Sequence, residues 1–145
     1  MGTRSNIGIV KENGSIETIY CHWDGYPEWV GVQLALNYKD VETVKELISY
    51  GDRSSLNATP DFKDAYVYTQ NAKIQTGKYA SFEEYDKAPK SGIEFVYLYQ
   101  NGTWFIYETA DDDTLVYKGV ISNIKVEFDT SASLDTKVPE LINQP

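Results

Sequence analysis

Ten consecutive residues, Tyr20 to Trp29 (YCHWDGYPEW), hold the chain's only cysteine, its only histidine and two of its three tryptophans. A thiol, an imidazole, a carboxylate at Asp24 and a phenol at Tyr26 in so short a span bring three chemistries to mind: metal ligation, nucleophilic catalysis and ligand capture. Zinc needs three or four Cys, His or carboxylate ligands, and neighbouring strand positions point to opposite faces. Cys21 and His22 therefore cannot grip one ion from a strand, and neither a metal nor a cofactor is expected. The same alternation defeats Cys21 as a nucleophile with His22 as its base, unless the strand bulges. Ser5 with His22 is the better hydroxyl and imidazole pair, although such cross-strand contacts are usually plain hydrogen bonds. Ligand capture would draw on Arg4, Ser5, His22, Trp23, Asp24 and Tyr26, with Arg4 as a cation-π partner of Trp23 or as the cation of an anion pocket.

These residues are positioned by a predicted hairpin. Ser5 to Val10 and Ile16 to Trp23 are β-favouring runs around Asn13-Gly14, the strongest short hairpin signal. If Asn13 and Gly14 are the whole loop, Arg4 faces Trp23, Ser5 faces His22 and Ile7 faces Tyr20. A three-residue loop would slip every pair. Asp24-Gly25 turns the chain, and Pro27 suits the first turn of a short helix reaching about Tyr38. Asp40 then caps a second helix with the apolar stripe Val41, Val44, Leu47 and Ile48, stopped at Gly51. From Asp52 to Lys90 the pattern weakens to a strand at Ala65 to Thr69 and a helical turn at Ser81 to Asp86.

The second half reads as a sheet. Ile93 to Tyr99 and Thr103 to Thr109 flank Asn101-Gly102, so Tyr97 faces Ile106 and Tyr99 faces Trp104. Asp111, Asp112 and Asp113 turn the chain into Thr114 to Ile121, and Lys125 to Phe128 adds a strand before a loose tail from about residue 130. The expected fold is α+β over residues 1–145 as one domain: an N-terminal hairpin, two short helices, then a mainly antiparallel sheet. Tyr is also the residue of choice for protein-binding faces. With 12 tyrosines in the chain, Tyr97, Tyr99, Trp104 and Tyr107, together with Asp111 to Asp113, are the expected docking surface.

Thirteen Lys and Arg against 22 Asp and Glu give a net charge of -9. Such a field repels phosphate backbones and disfavours direct nucleic-acid binding; it complements a basic protein. One cysteine allows no internal disulfide, which suits a reducing cytoplasm. No signal-peptide pattern and no apolar run of membrane length is visible, so no membrane association is expected.

The stretches GTRSNIGI, IYCHWDGYPEWVG, LALNY and VKELISYGDRSSL, within Gly2 to Leu56, resemble the N-terminal region of a family of small proteins encoded by bacteriophages and prophages. The resemblance carries no assigned reaction. It implies the context of a phage accessory protein in a bacterial host cytoplasm. Small acidic proteins of that kind often resemble inhibitors of host defence. The leading expectation is a non-enzymatic, anti-CRISPR-like inhibitor of a basic nucleic-acid-handling effector. A sponge for a nucleotide immune signal at the YCHWDGYP corner stands beside it, as does a small hydrolase using Ser5 or Cys21 with His22.

Overall fold

Two Asn-Gly pairs close two hairpins in different ways. At the second, Asn101 (φ 52°) and Gly102 (φ 82°) both take left-handed backbone, the type I′ turn that matches strand twist. The strands β4 (Phe95–Gln100) and β5 (Thr103–Thr109) consequently pair as expected, Tyr97 with Ile106 and Tyr99 with Trp104. At the first, the Asn13 side chain bonds locally instead, its Oδ1 accepting from Ser15 N at 3.0 Å and from Ser15 Oγ at 2.7 Å. Only Gly14 goes left-handed, at φ 86°, while Gly14 N donates to Lys11 O and Lys11 N to Ser15 O. This is a three-residue loop ending in a glycine bulge. Pairing of β1 (Ser5–Val10) with β2 (Ile16–Cys21) therefore slips by one: Ser5 lies opposite Cys21, not His22, and Ile7 opposite Ile19.

In the computed structural model, which describes residues 3–60 and 62–121 and the backbone of 134–135, the two hairpins join into one mixed sheet. Its remaining strands are β3 (Gly77–Tyr79), β6 (Leu115–Ile121) and β7 (Leu134–Asp135), in the order β3-β2-β1-β4-β5-β6-β7. Among the described strand pairs β1/β4 is parallel and the others are antiparallel. The fold is α+β, as expected. The expected strand at Lys125 to Phe128 and the tail lie outside the described residues.

Alternation gives the sheet two apolar faces. On one, Ile7, Ile9, Ile19, Cys21, Tyr97, Tyr99, Trp104 and Ile106 pack beneath α1 (Val32–Asn37) and α2 (Val41–Ser49). Asp40 caps α2 by accepting from Thr43 N at 2.8 Å, and Val44, Leu47 and Ile48 are the side chains α2 buries, each worth about 1.5–3 kcal/mol. On the other, Ile16, Val96, Leu98, Phe105 and Tyr107 meet Tyr85 of α4 (Phe82–Lys87).

The expected tyrosine-rich docking surface is therefore corrected. Tyr97, Tyr99, Trp104 and Tyr107 are all buried, because both faces of this hairpin are covered. Three of them donate to backbone carbonyls: Tyr97 Oη to Gly25 O at 2.6 Å, Tyr99 Oη to Lys39 O at 2.8 Å and Trp104 Nε1 to Tyr38 O at 2.8 Å. The strand expected at Ala65 to Thr69 is also corrected. Ala65 makes one bridge to Arg53 and the chain then coils into the single turn α3 (Tyr66–Thr69), Thr69 N donating to Ala65 O at 2.9 Å.

Lys90 fastens the far side, buried over the Tyr85 ring. Its ammonium donates to Asp86 O, Ala88 O and Asp113 O at 2.8, 2.9 and 2.6 Å. The Asp111 to Asp113 turn is thereby clipped to the end of α4.

Gly25 shows how tightly the hairpin and the corner are joined. A Cβ there would lie 2.7 Å from Ser5 Cβ and Oγ and 2.8 Å from Thr3 O, whereas one at Gly14 meets nothing within 4 Å. Gly25→Ala is expected to lower unfolding free energy by about 2–3 kcal/mol through overpacking, and Gly14→Ala by only about 1–2 kcal/mol of left-handed strain. Urea denaturation of both variants checks the order.

Candidate functional site

The corner is built by handing β2 from one partner to another. Beyond β3's reach, Arg53 N donates to Tyr20 O at 2.8 Å, His22 N to Arg53 O at 3.1 Å and Trp23 N to Ser54 O at 2.7 Å. Asp24 then turns left-handed (φ 58°), and Gly25 N donates to Thr3 O at 2.8 Å. From Tyr26 the chain enters a π-helical turn, Pro27–Gly31, where Trp29 N and Val30 N both donate to Tyr26 O. A left-handed non-glycine residue and a π turn so close together belong to the backbone departures that gather at functional sites.

Alternation sorts the expected site residues onto two sides. Ser5 and Cys21 face the helices and are wholly buried. Burial pushes the Cys21 thiol up to about 12, against smaller opposing effects of the Arg53 charge and of its contacts with Trp23 O and Ser5. It stays protonated at neutral pH, its Sγ donating to Trp23 O at 3.6 Å. Neither Ser5 nor Cys21 meets His22, so the two expected nucleophile and base pairs do not form.

His22 and Trp23 do come together, with two residues that the sequence reading missed, and Arg4 lies on the same side of the sheet as His22 without the expected cation-π contact to Trp23 among the described residues. Tyr20 Oη lies 2.6 Å from His22 Nδ1, and the His22 ring stands edge-on to Trp23 with centroids 4.6 Å apart. Tyr66, on α3, tilts against Tyr20 at 6.4 Å. Burial raises both phenols above their ordinary range, and the Arg4 charge opposes this at each, so the guanidinium sits within the field of both hydroxyls. Tyr20 Oη and His22 Nδ1 share one hydrogen bond, whose donor follows the imidazole tautomer, and Nε2 is the ring nitrogen this bond leaves over. Tyr20 was legible as the residue two before His22 on the same strand face. Tyr66 arrives through the fold alone.

Asp24 and Tyr26 bond to each other, Tyr26 Oη donating to Asp24 Oδ1 at 3.2 Å, and lie outside that cluster at the surface. Trp23, Tyr26 and Trp29 are 45%, 37% and 39% exposed. Trp29 is held by its indole N–H, which donates to Leu56 O at 3.1 Å. Cys21, Ser5, Phe95, Glu108 and Val116 form one row across the sheet. The corner and the Asp111 to Asp113 turn therefore share one end of the sheet. Asp111 and Asp112 are exposed there, and Asp112 Oδ1 accepts from Thr114 N and Oγ1. A shallow groove of about 1160 Å³ lies at the other end, between the hairpin loops, lined by Lys11, Asn13, Val41, Lys45, Gln100 and Asn101. Of the expected site residues it touches Tyr99 alone, and none of the YCHWDGYPEW corner.

Among the described residues no three His, Cys, Asp or Glu side chains converge as a metal site, and no helix is long and apolar enough to cross a membrane. No family model, curated protein or solved structure matches the chain.

Two expectations follow. Cys21 should react with a thiol reagent only as fast as the protein unfolds; fast labelling of folded protein at pH 8 would contradict its burial. Asp52 supports Tyr20, its Oδ1 accepting from Tyr20 N at 2.9 Å, and burial raises its carboxyl above 3.8. The folded state thus holds this proton more tightly than the unfolded chain. The stabilisation is full below 3.8 and is lost as pH rises through the folded value. Asp52→Asn keeps the acceptor without the charge, so its stability relative to the parent should grow between about pH 4 and pH 7. Parallel denaturation curves across that range measure it.

Proposed function

We propose that the protein is a non-enzymatic binding protein that docks a basic partner through the acidic, aromatic end of its sheet. The exposure of Trp23, Tyr26 and Trp29, interleaved with Asp24 and Glu28, carries this reading. Large aromatics fixed at a surface are what interface hot spots are made of, because they bury much area at little entropy cost. Two of them are held in place by hydrogen bonds, Tyr26 through its hydroxyl and Trp29 through its indole. Glu94, Glu108, Asp111 and Asp112 extend the acidic character along the same end.

The chemistry selects a partner with exposed Arg and Lys, whose cations can lie on the rings and pair with the carboxylates. With the resemblance to bacteriophage accessory proteins, this favours a host-defence effector, anti-CRISPR-like in its logic, whose basic nucleic-acid channel the acidic end would block. The docking residues are Trp23, Asp24, Tyr26, Glu28 and Trp29 with the Asp111 turn; the buried hairpin tyrosines have no part in it.

Purified effector nucleases, titrated with the protein, test this. Inhibition of target cleavage should weaken by about tenfold or more as salt rises from about 50 to about 300 mM. Tyr26→Ala should weaken it by about tenfold or more, and the pair Glu28→Lys, Asp111→Lys by more than Tyr26→Ala, with unchanged melting temperatures. Salt-insensitive inhibition, or charge reversal without effect, would overturn the reading.

A further inference from the structure

The polar aromatic cluster behind Trp23 is not needed for docking a basic surface, and its chemistry points the other way. Arg4 lies one position beyond the last β1/β2 pair, on the same side of the sheet as Tyr20 and His22. Its guanidinium packs over Gly92: a Cβ there would come within 2.8 Å of Arg4 Nη1. Gly92 is also left-handed, at φ 80°, so both the turn and the cation's seat call for glycine. Although the chain carries 22 acidic residues, Arg4 forms no ion pair among the described residues. On that same side stand the Tyr20 hydroxyl and the His22 imidazole, with Tyr66 against Tyr20 and the half-exposed Trp23 indole against His22.

We infer that Arg4, Tyr20, His22, Trp23 and Tyr66 form a second binding site, whose ligand is a nucleoside phosphate held by its phosphate at the guanidinium and by its base on the Trp23 ring. A guanidinium presents a fork of N–H donors matched to phosphate oxygens. Tyr66 supplies a hydroxyl donor, and His22 offers the ring nitrogen Nε2 that Tyr20 leaves unengaged. Trp23, perpendicular to the His22 ring, leaves a face on which a base can stack, an interaction worth about 1–3 kcal/mol in nucleic-acid sites. The net charge of -9 opposes an anion at long range, but that field is screened beyond about 10 Å at 0.1 M salt while direct contact is not. Asp52, behind Tyr20, bonds this cluster through the Tyr20 backbone N–H.

Calorimetry on the full chain tests the site with three probes: AMP, a cyclic dinucleotide and inorganic phosphate. At least one of the two nucleotides should bind, and inorganic phosphate about tenfold or more weaker, since it lacks the stacked base. Arg4→Gln should weaken nucleotide binding by about tenfold or more without shifting the melting temperature, and Tyr66→Phe by a smaller factor. Gly92→Ala, which displaces the guanidinium, should weaken it too. Glu28→Lys with Asp111→Lys, which cripples the docking surface, should leave nucleotide binding intact, so the two sites fail separately. No heat from either nucleotide at millimolar concentration, or equal affinity for Arg4→Gln and the parent, would overturn the assignment. Phosphate binding as tightly as nucleotide would overturn its base-stacking half.

Discussion

The bond from the Tyr97 hydroxyl to the Gly25 carbonyl, 2.6 Å long and wholly buried, is the constraint on which the working end of the molecule rests. It ties the centre of the sheet to the point where the chain leaves β2 and turns toward the helices. Losing the carbonyl would strand a buried hydroxyl at a cost of about 1–3 kcal/mol, so Gly25 is held where Tyr97 needs it. Gly25 in turn packs on Ser5 and donates to Thr3 O, which fixes the start of β1 against the same corner. With the backbone clamped from below, Asp24 is forced left-handed. Its flanking side chains Trp23 and Tyr26 are left on the outside. Exposed rings at that corner follow from a satisfied polar group beneath it.

Strand alternation does the remaining sorting. Because the first hairpin closes on three residues, Ser5 and Cys21 share the buried face and His22 joins Tyr20 on the accessible one. A thiol shielded to that degree serves as a small apolar side chain. An imidazole with one nitrogen engaged by a neighbouring phenol keeps the other for a ligand. A two-residue loop would have put a hydroxyl and an imidazole opposite each other, the start of a catalytic pair. One residue in a loop remote from the corner thus decides which chemistry the corner can offer.

Local turn chemistry made much of this legible, and non-local packing explains the rest. Asp40, the stripe on α2 and the Asn101-Gly102 turn were readable because capping, amphipathicity and type I′ geometry are each decided within a few residues. Asn13-Gly14 misled because Asn can satisfy its loop either with left-handed backbone or with its side chain, and Ser15 supplied the donors that favour the second. The parallel β1/β4 contact leaves no local mark, since parallel strands require a long crossover. Nor does composition tell a docking tyrosine from a core one. Tyr97 and Tyr99 are enclosed by helices that their own sequence neighbourhood does not contain. Of the site itself, the expected two-residue loop put Arg4 and His22 on opposite faces, and Arg4 joins His22's side only because the first hairpin slips by one, whereas Tyr66 depends on α3 being carried back to β2 by the Arg53 bridges.

The distribution of cations completes the picture. Among the described residues Arg53 and Lys90 are drawn inside, where they bind main-chain carbonyls, Arg53 Nε donating to Ser55 O and Lys90 clamping three. Burial lowers the Lys90 pKa, partly offset by the charges of Asp86, Asp113 and Asp112. Each of those carbonyls is better satisfied by a cation than by a neutral donor. Placing positive charge indoors makes the outer surface more acidic than the formal total conveys, which is what a surface complementary to a basic protein requires. Against that background Arg4, exposed and without an ion pair among the described residues, is a local inversion of sign at the rim of the acidic end. A basic partner seated on Trp23 and Tyr26 would cover ground next to it, so an anion held at Arg4 would present negative charge to that partner's cations. The two proposed sites, which share Trp23, would then be linked through charge and a common ring rather than through a change of fold.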